Sequence, residues 1–340
     1  MSRIIVTGAG GYIGTRLVRD LVRAGHDVSA IDRFFFGQDT LSEFAENKKV
    51  TLIQKDIRDL DIVDFKGHDV VCDLACLSND PAGEIDPQLT YSINRDGRIH
   101  VANIAKKAGV SKYIISSSCS VYGQGEEPNL SEESATNPVS VYAKSTLEAE
   151  KKNLSIADEE FSVTSLRNST VFGLSNRMRF DLVVNLMTLT AFQKSRIIVM
   201  GGGLQWRPLV HVSDVSKAFI SVINAPTNIV NHEIFNIGLD NFQIKNLAYL
   251  VREQLSFPIE IENAPDDADK RDYNVLFEKA KRVLGFEAST SVNEGINEIY
   301  FALKTGKVET GQKTVTVQWY RNILAAKKLI DAVSLNGRVI

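Results

Sequence analysis

Short, nearly continuous apolar runs at residues 4–7, 28–32, 50–54, 70–74, 113–117 and 162–166 alternate with longer segments whose apolar positions recur every three or four residues. The runs are too short for helices and carry few polar positions, so they read as strands buried on both faces. Between them, residues 12–24, about 87–108 and about 141–157 have helical spacing, and Gly109 follows the second as a C-terminal cap. Such alternation predicts an α/β fold, a doubly wound parallel sheet of the Rossmann type. The rhythm breaks after Gly173, where a helix over 179–192, a strand over 196–200, the turn Gly201-Gly202-Gly203 and helices over 244–255 and 278–284 are expected. The pattern divides the chain into a main domain of 1–172 plus about 208–238, a smaller discontinuous α/β domain of about 173–207 and 239–310, and a C-terminal tail or helix over 311–340. Within the main domain, 210–223 and 233–236 are expected to return to the large sheet. No low-complexity linker separates the two units, so they should share a cleft. For the helical stretch 315–333, packing or solvation is the only role in view.

The first strand runs into Thr7-Gly8-Ala9-Gly10-Gly11-Tyr12-Ile13-Gly14, which opens the first helix. Glycines let backbone N–H groups approach a pyrophosphate, and the helix N-terminus offers partial positive charge to it. Gly8, Gly11, Tyr12, Ile13 and Gly14 are therefore candidate cofactor contacts, spaced G-x-x-G-x-x-G. Asp32 ends the second strand about 20 residues on, where a carboxylate can accept from both ribose hydroxyls and repel a 2′-phosphate. NAD is expected over NADP, although the adjacent Arg33 could tolerate a phosphate. Asp56-Ile57 after the third strand could meet the adenine edge, and Leu74-Ala75-Cys76 after the fourth are small enough for close approach. Ser116 to Gly123 end the fifth strand at the carboxyl edge, where ligands bind in open α/β sheets.

Charge and composition narrow the partners. With 340 residues, a net charge of −3 and dispersed Lys and Arg, there is no broad basic surface for nucleic acid. No apolar run approaches about 18 residues and the N-terminus starts directly with a strand, so a cytoplasmic protein without membrane attachment is expected. Cys72, Cys76 and Cys119 are odd in number and lack zinc-type spacing with the five histidines; buried thiols and no metal are expected.

Taken in order, the three glycines, Asp32, Asp56-Ile57-Arg58, Ser116–Gly123 and a helix centred on Tyr142 resemble the extended short-chain dehydrogenase/reductase family, the NAD-dependent nucleotide-sugar epimerases and dehydratases. The resemblance runs from Ser2 to about Lys304. It implies that Ser118 bonds the sugar hydroxyl, that Tyr142 is the catalytic acid/base, and that Asn94 lies near the cofactor, with Ser116 beside it. Gln205-Trp206-Arg207 through Asp214 and Asp269-Lys270-Arg271-Asp272-Tyr273 match late motifs, which implies that Arg207 and Arg271 grip a nucleotide diphosphate. Cys119, Ser120 and Thr170 fall at substrate-side positions, and His211 reads as support for the fold. The family also implies a homodimer through the helices at 87–108 and 141–157.

Departures from the pattern bear on chemistry. The family motif is Tyr-x-x-x-Lys, yet Tyr142-Ala143-Lys144-Ser145-Thr146 puts Thr146 at the lysine position. Lys144, two residues on, points about 200° round the helix and cannot replace it. Thr170 stands where the family has asparagine, and Cys119-Ser120 replaces the acidic pair of the 4,6-dehydratases. Two functions follow. One is an NAD-dependent nucleotide-sugar epimerase or oxidoreductase moving a hydride at sugar C4 with Ser118 and Tyr142; the alternative is a weakened relative that binds NAD or a sugar nucleotide as a regulatory protein.

Overall fold

The computed structural model describes residues 1–125, 127–265 and 271–339. In chain order their strands are Arg3–Thr7 (β1), Asp27–Asp32 (β2), Val50–Gln54 (β3), Val70–Asp73 (β4), Lys112–Ser118 (β5), Ser162–Asn168 (β6), Thr170–Phe172 (β7), Arg196–Met200 (β8), Trp206–His211 (β9), Glu233–Ile237 (β10), Asp240–Gln243 (β11) and Glu260–Ala264 (β12). Seven of them form one sheet in the order β10-β6-β5-β4-β1-β2-β3, and every neighbouring pair is parallel. Alternate residues of a strand face opposite sides, so the two faces draw on different residues of the same run. Ile4 and Val6 of β1 pack with Leu17, Val18 and Leu21 of the helix Tyr12–Arg23, whereas Ile5 joins Val71, Val101 and Ala105 on the other face. Each such valine, leucine or isoleucine, fully buried, contributes roughly 1.5–3 kcal/mol. Strand order reverses between β1 and β4, so the crevice beyond their carboxyl ends is where an α/β sheet takes ligand.

The six strands expected from the apolar runs are all present, and β10 enters the large sheet beside β6 as the 233–236 run implies. The 210–223 run does not add a strand to that sheet. Its first residues complete β9, which pairs with β7 and antiparallel with β11 in a separate three-stranded sheet, and the remainder is the helix Val212–Asn224 packed on the face of the main sheet. A third unit, the parallel pair β8 and β12, is wrapped by the helices Val183–Lys194, Ile244–Gln254 and Val292–Lys304 around Ile197, Val199, Leu247, Val251 and Ile296.

Two helices differ from their sequence reading. The stretch expected to be helical from 179 starts only at Val183, because Arg179 turns its guanidinium onto Asp181 (2.8 and 3.1 Å) and its carbonyl accepts from Asn185. The second long helix carries a wide turn over Ser92–Gly97 between its segments Pro87–Tyr91 and Arg98–Lys107. The C-terminal stretch is the helix Thr316–Val333; its first residues are tucked in, while Leu329, Ile330 and Val333 are exposed.

Candidate functional site

At the end of β1 the glycines are required by space. A Cβ on Gly8, whose φ is +66°, would lie 2.8 Å from the backbone of Leu74 and Ala75, and one on Gly14 would lie 2.1 Å from the Gly8 carbonyl. The strand end and the first helical turn are thereby pressed together, and Gly11 caps the helix with no side chain of its own. The result is a backbone cradle of the kind that takes a phosphate at a helix N-terminus. Asp32 stands beside it, accepting from the N–H groups of Gly10 (3.0 Å) and Phe34 (2.6 Å). Burial raises its pKa, and those backbone donors oppose the rise. Tyr12 fixes the helix to the second half of the chain: its hydroxyl donates to the Gly173 carbonyl at 2.6 Å.

A cavity of about 750 Å³ runs from this turn across the ends of the strands. Gly8, Gly11, Tyr12, Ile13, Gly14, Asp32, Arg33, Asp56, Ile57, Leu74, Ala75, Cys76 and Ser116 line it, as do Ser118, Tyr142, Thr170, Arg207 and Arg271. Asp56 is already saturated there, held by Arg58 at 2.7 Å and Arg33 at 3.0 Å, and the Arg58 hydrogen bonds hold its carboxyl down to about 2. Arg271 pairs with Asp80 at 2.6 Å, and Arg207 donates to the Arg271 carbonyl, so the two late arginines are coupled. Asp269 and Lys270 of the same motif lie outside the described residues.

The helix Val141–Leu154 is capped by Ser140, which accepts from the Ala143 N–H, and this presents Tyr142 in its first turn. Ser118, at the end of β5, lines the same cavity, and its hydroxyl is near enough to the Tyr142 phenol to favour the phenolate. Burial pushes that phenol well above the ordinary tyrosine value; Cys76 and Asp80 add to the rise, and the Ser118 hydroxyl and Arg98 oppose it. Lys144 is exposed on the opposite side of the helix.

Four expected site residues stand outside the cavity wall. Thr146 is 1% exposed, and its hydroxyl faces the Cys76 thiol, which burial pushes up to about 11. Cys76, one layer closer, lines the cavity in its place. Asn94 is fully buried, with both ends of its amide on the Leu77 backbone (2.8 and 3.2 Å), so it shapes the loop after β4. Cys119 turns its thiol to the Arg167 carbonyl, and Ser120 is buried beside it. All three cysteines are free thiols. His211 supports the fold, as expected, bonding Ser213 and Glu298 at 2.6 and 2.7 Å.

Several lining residues were not expected. Ser78, Asn79 and Asp80 follow β4; Arg177, Arg179 and Asp181 form a loop; Phe35 and Phe36 follow Asp32; Thr316, Val317 and Tyr320 come from the C-terminal helix. Arg-x-Arg-x-Asp at 177–181 is the one local signal among them, two cations and an acid on alternate residues just beyond Gly173.

A parallel sheet with a glycine cradle at its switch point, an acid ending β2 and a serine–tyrosine pair in one cavity defines a dinucleotide-dependent α/β enzyme. The model of the NAD dependent epimerase/dehydratase family matches residues 4–238, and the chain belongs to that family, with NAD as its cofactor. Among curated proteins it is 27% identical over 307 residues to UDP-glucuronic acid decarboxylase 1 of Danio rerio, covering 87% of this chain and 71% of that protein. It is also 27% identical over 306 residues to a putative UDP-glucose 4-epimerase of Methanocaldococcus jannaschii, covering 87% and 96%. Among solved structures, MoeE5 in complex with UDP-glucuronic acid and NAD superposes with a TM-score of 0.79 at 26% identity, over 89% of this chain and 99% of that one. No helix among the described residues is long and apolar enough to cross a membrane.

Proposed function

We propose that the protein is an NAD-dependent nucleotide-sugar enzyme of the epimerase or oxidoreductase type, acting at sugar C4 through Ser118 and Tyr142. The observation that carries this reading is that Ser118 and Tyr142 line the same cavity as the glycine cradle and the coupled arginines Arg207 and Arg271. Relatives named for UDP-glucuronic acid and UDP-glucose support a nucleotide diphosphate sugar as substrate. Gly8, Gly11, Gly14 and Asp32 would hold NAD, which supplies the hydride acceptor when bound. Ser118 orients the reacting hydroxyl, and Tyr142 holds or releases the proton at its phenolic oxygen.

The proton step is where this chain is unusual. A cation about 5 Å from the phenolate, at an effective dielectric near 20, is worth ~3 kcal/mol, or about two pKa units. Thr146 supplies no charge and burial pushes Tyr142 upward, so in the protein alone the phenol stays protonated at neutral pH. That single feature favours a second reading, a weakened family member serving as an NAD or sugar-nucleotide binding protein. Either form is taken to be a cytoplasmic homodimer paired through the helices containing Arg98 and Tyr142.

Single-turnover reduction of NAD by UDP-sugars over about pH 6 to 10 tests both readings. Tyr142→Phe should lower the rate about 10²- to 10⁴-fold; an unchanged profile would remove Tyr142 from the chemistry. Thr146→Lys should move the optimum down by about one to two pH units. A parent protein already turning over supports the enzyme, whereas activity appearing only with the lysine supports the binding protein.

A further inference from the structure

The C-terminal helix lies beyond both the family model and the sequence resemblance, yet it forms part of the cavity wall. Thr316, Val317 and Tyr320 face the cavity from its first two turns. They are tied down on two sides. Toward the loop after β2, the Trp319 indole donates to the Phe35 carbonyl at 2.6 Å, and the Tyr320 ring meets Phe35 and Phe36 with centroids 6.1 and 5.7 Å apart. Toward the arginine loop, Phe180 N–H donates to the Thr314 carbonyl (2.8 Å), and the Thr316 hydroxyl accepts from Arg177 (2.8 Å) while donating to Asp181 (3.3 Å). The helix start therefore bridges the segment that carries Asp32 and the segment that carries two arginines.

Arg177 is the odd member of this arrangement. It is 5% exposed, its guanidinium lies 3.6 Å from the Phe36 ring centroid, and its Nε has no hydrogen-bond partner. Among the described residues it makes no ion pair; the nearby Asp181 is taken by both ends of the Arg179 fork. Two buried guanidiniums thus share one carboxylate, and the unpartnered cation lines the cavity. Burial and then Arg179 lower the Arg177 pKa to about 10, the direction expected of a cation lacking its counter-ion. A buried charge of this kind is costly until an anion with several acceptor oxygens reaches it.

We infer that the C-terminal helix is a lid over the cofactor site and that Arg177, held under it by Phe36 and Thr316, binds the dinucleotide's diphosphate. The inference rests on the NAD reading of the cavity. A sugar nucleotide carries the same diphosphate chemistry, but Arg177 is packed against the loop after Asp32, and its charge is felt at Asp32 and Tyr12 beside the glycine cradle. Arg207 and Arg271 are held separately, Arg271 by Asp80 and Arg207 by the Arg271 carbonyl. With the diphosphate between cradle and guanidinium, the cofactor leaves only when Tyr320 and Thr316 lift, so NAD should exchange slowly between turnovers.

Binding and release are measured on the full-length protein, with Trp319 fluorescence as the optical signal, for NAD, ADP-ribose, adenosine and UDP. Charge-assisted hydrogen bonds to one guanidinium are worth about 1.5–3 kcal/mol, so Arg177→Met should weaken NAD and ADP-ribose about 10- to 100-fold. Adenosine and UDP should change less than about twofold, and Arg177→Lys should recover part of the loss. Tyr320→Ala should speed NAD release about tenfold, and it decides alone should Arg177→Met fail to fold. Parent-like NAD affinity and release in the folded variants would overturn the lid and leave the cofactor reading intact. A parent protein that binds no NAD would overturn the cofactor reading itself. A loss confined to UDP would move Arg177 to the substrate's diphosphate and also overturn the inference.

Discussion

Arg98 and Arg177 are both buried and each leaves one guanidinium nitrogen without a hydrogen bond, yet of the two only Arg98 has an ion pair among the described residues. Arg98 is 0% exposed at the start of its helix segment and reaches across to Asp73 at the end of β4, with Nε 3.0 Å from the carboxylate and Nη2 donating to the carbonyls of Asp73 and Ser116. Asp73 also accepts from the Thr7 and Tyr113 hydroxyls, so its lone pairs are shared between two neighbouring strands and a helix. Burial by itself depresses the Arg98 guanidinium; the Asp73 charge outweighs that and the pKa rises. Arg177 is pushed the other way: burial and then the neighbouring Arg179 outweigh the pull of Asp181, which Arg179 already holds. Burial lowers both guanidiniums, and the opposite net directions separate a cation that serves the fold from one that serves a ligand.

The largest expected effect tests the first half of this contrast. Asp73→Asn leaves the Arg98 charge buried against a neutral amide, and breaking a buried pair from one side costs about 3–5 kcal/mol. Urea unfolding of the ligand-free protein should show it as a large drop in midpoint at unchanged slope. Arg177→Met under the same conditions should cost less than ~1 kcal/mol, or stabilise, because it exchanges an unanswered cation for an apolar chain of similar reach. If Arg177→Met proves as damaging as Asp73→Asn, the two arginines do the same work and the contrast fails.

The same contrast separates what was legible in the sequence from what was not. Gly8, Gly14 and Asp32 belong to one strand-turn-helix-strand unit, so spacing alone places them together. Arg98 and Asp73 are not marked by spacing, but both sit in elements that hydrophobic periodicity predicts. Arg177 falls between Gly173 and the helix expected from 179, where periodicity predicts no element, and its partner Thr316 is 139 residues away in a helix that shows only apolar and basic faces. Trp319 reaches Phe35 across 284 residues. No local pattern encodes such a contact. Thr146 and Asn94 lie off the cavity wall for a different reason: helical spacing gives the side of a helix a residue occupies but not its depth, and Cys76 and Leu77 line the cavity where they do not. The large sheet was readable because each strand carries its own signal, whereas the cavity's outer wall is assembled from pieces that signal nothing singly.

A third ion pair, half in solvent, supplies the smallest and most graded test. Asp56 caps the turn after β3 and is gripped by Arg58 and Arg33, whose side chains are 31% and 48% exposed. The Arg58 hydrogen bonds lower the carboxyl from 3.8 to about 2, a shift that solvent screening of the two arginines discounts to about 1 kcal/mol of stability. Because the folded pKa lies below the unfolded one, the contribution is fully present above about pH 4.5 and is lost as pH falls toward 2. Asp56→Asn should therefore unfold more easily than the parent by about 1 kcal/mol at neutral pH, with the gap roughly halved by pH 3. Urea midpoints for the two proteins at several pH values check this. A gap independent of pH would mean that the amide disturbs the turn itself, because the cap to the Arg58 N–H needs only an oxygen while the pair with the two guanidiniums needs the charge.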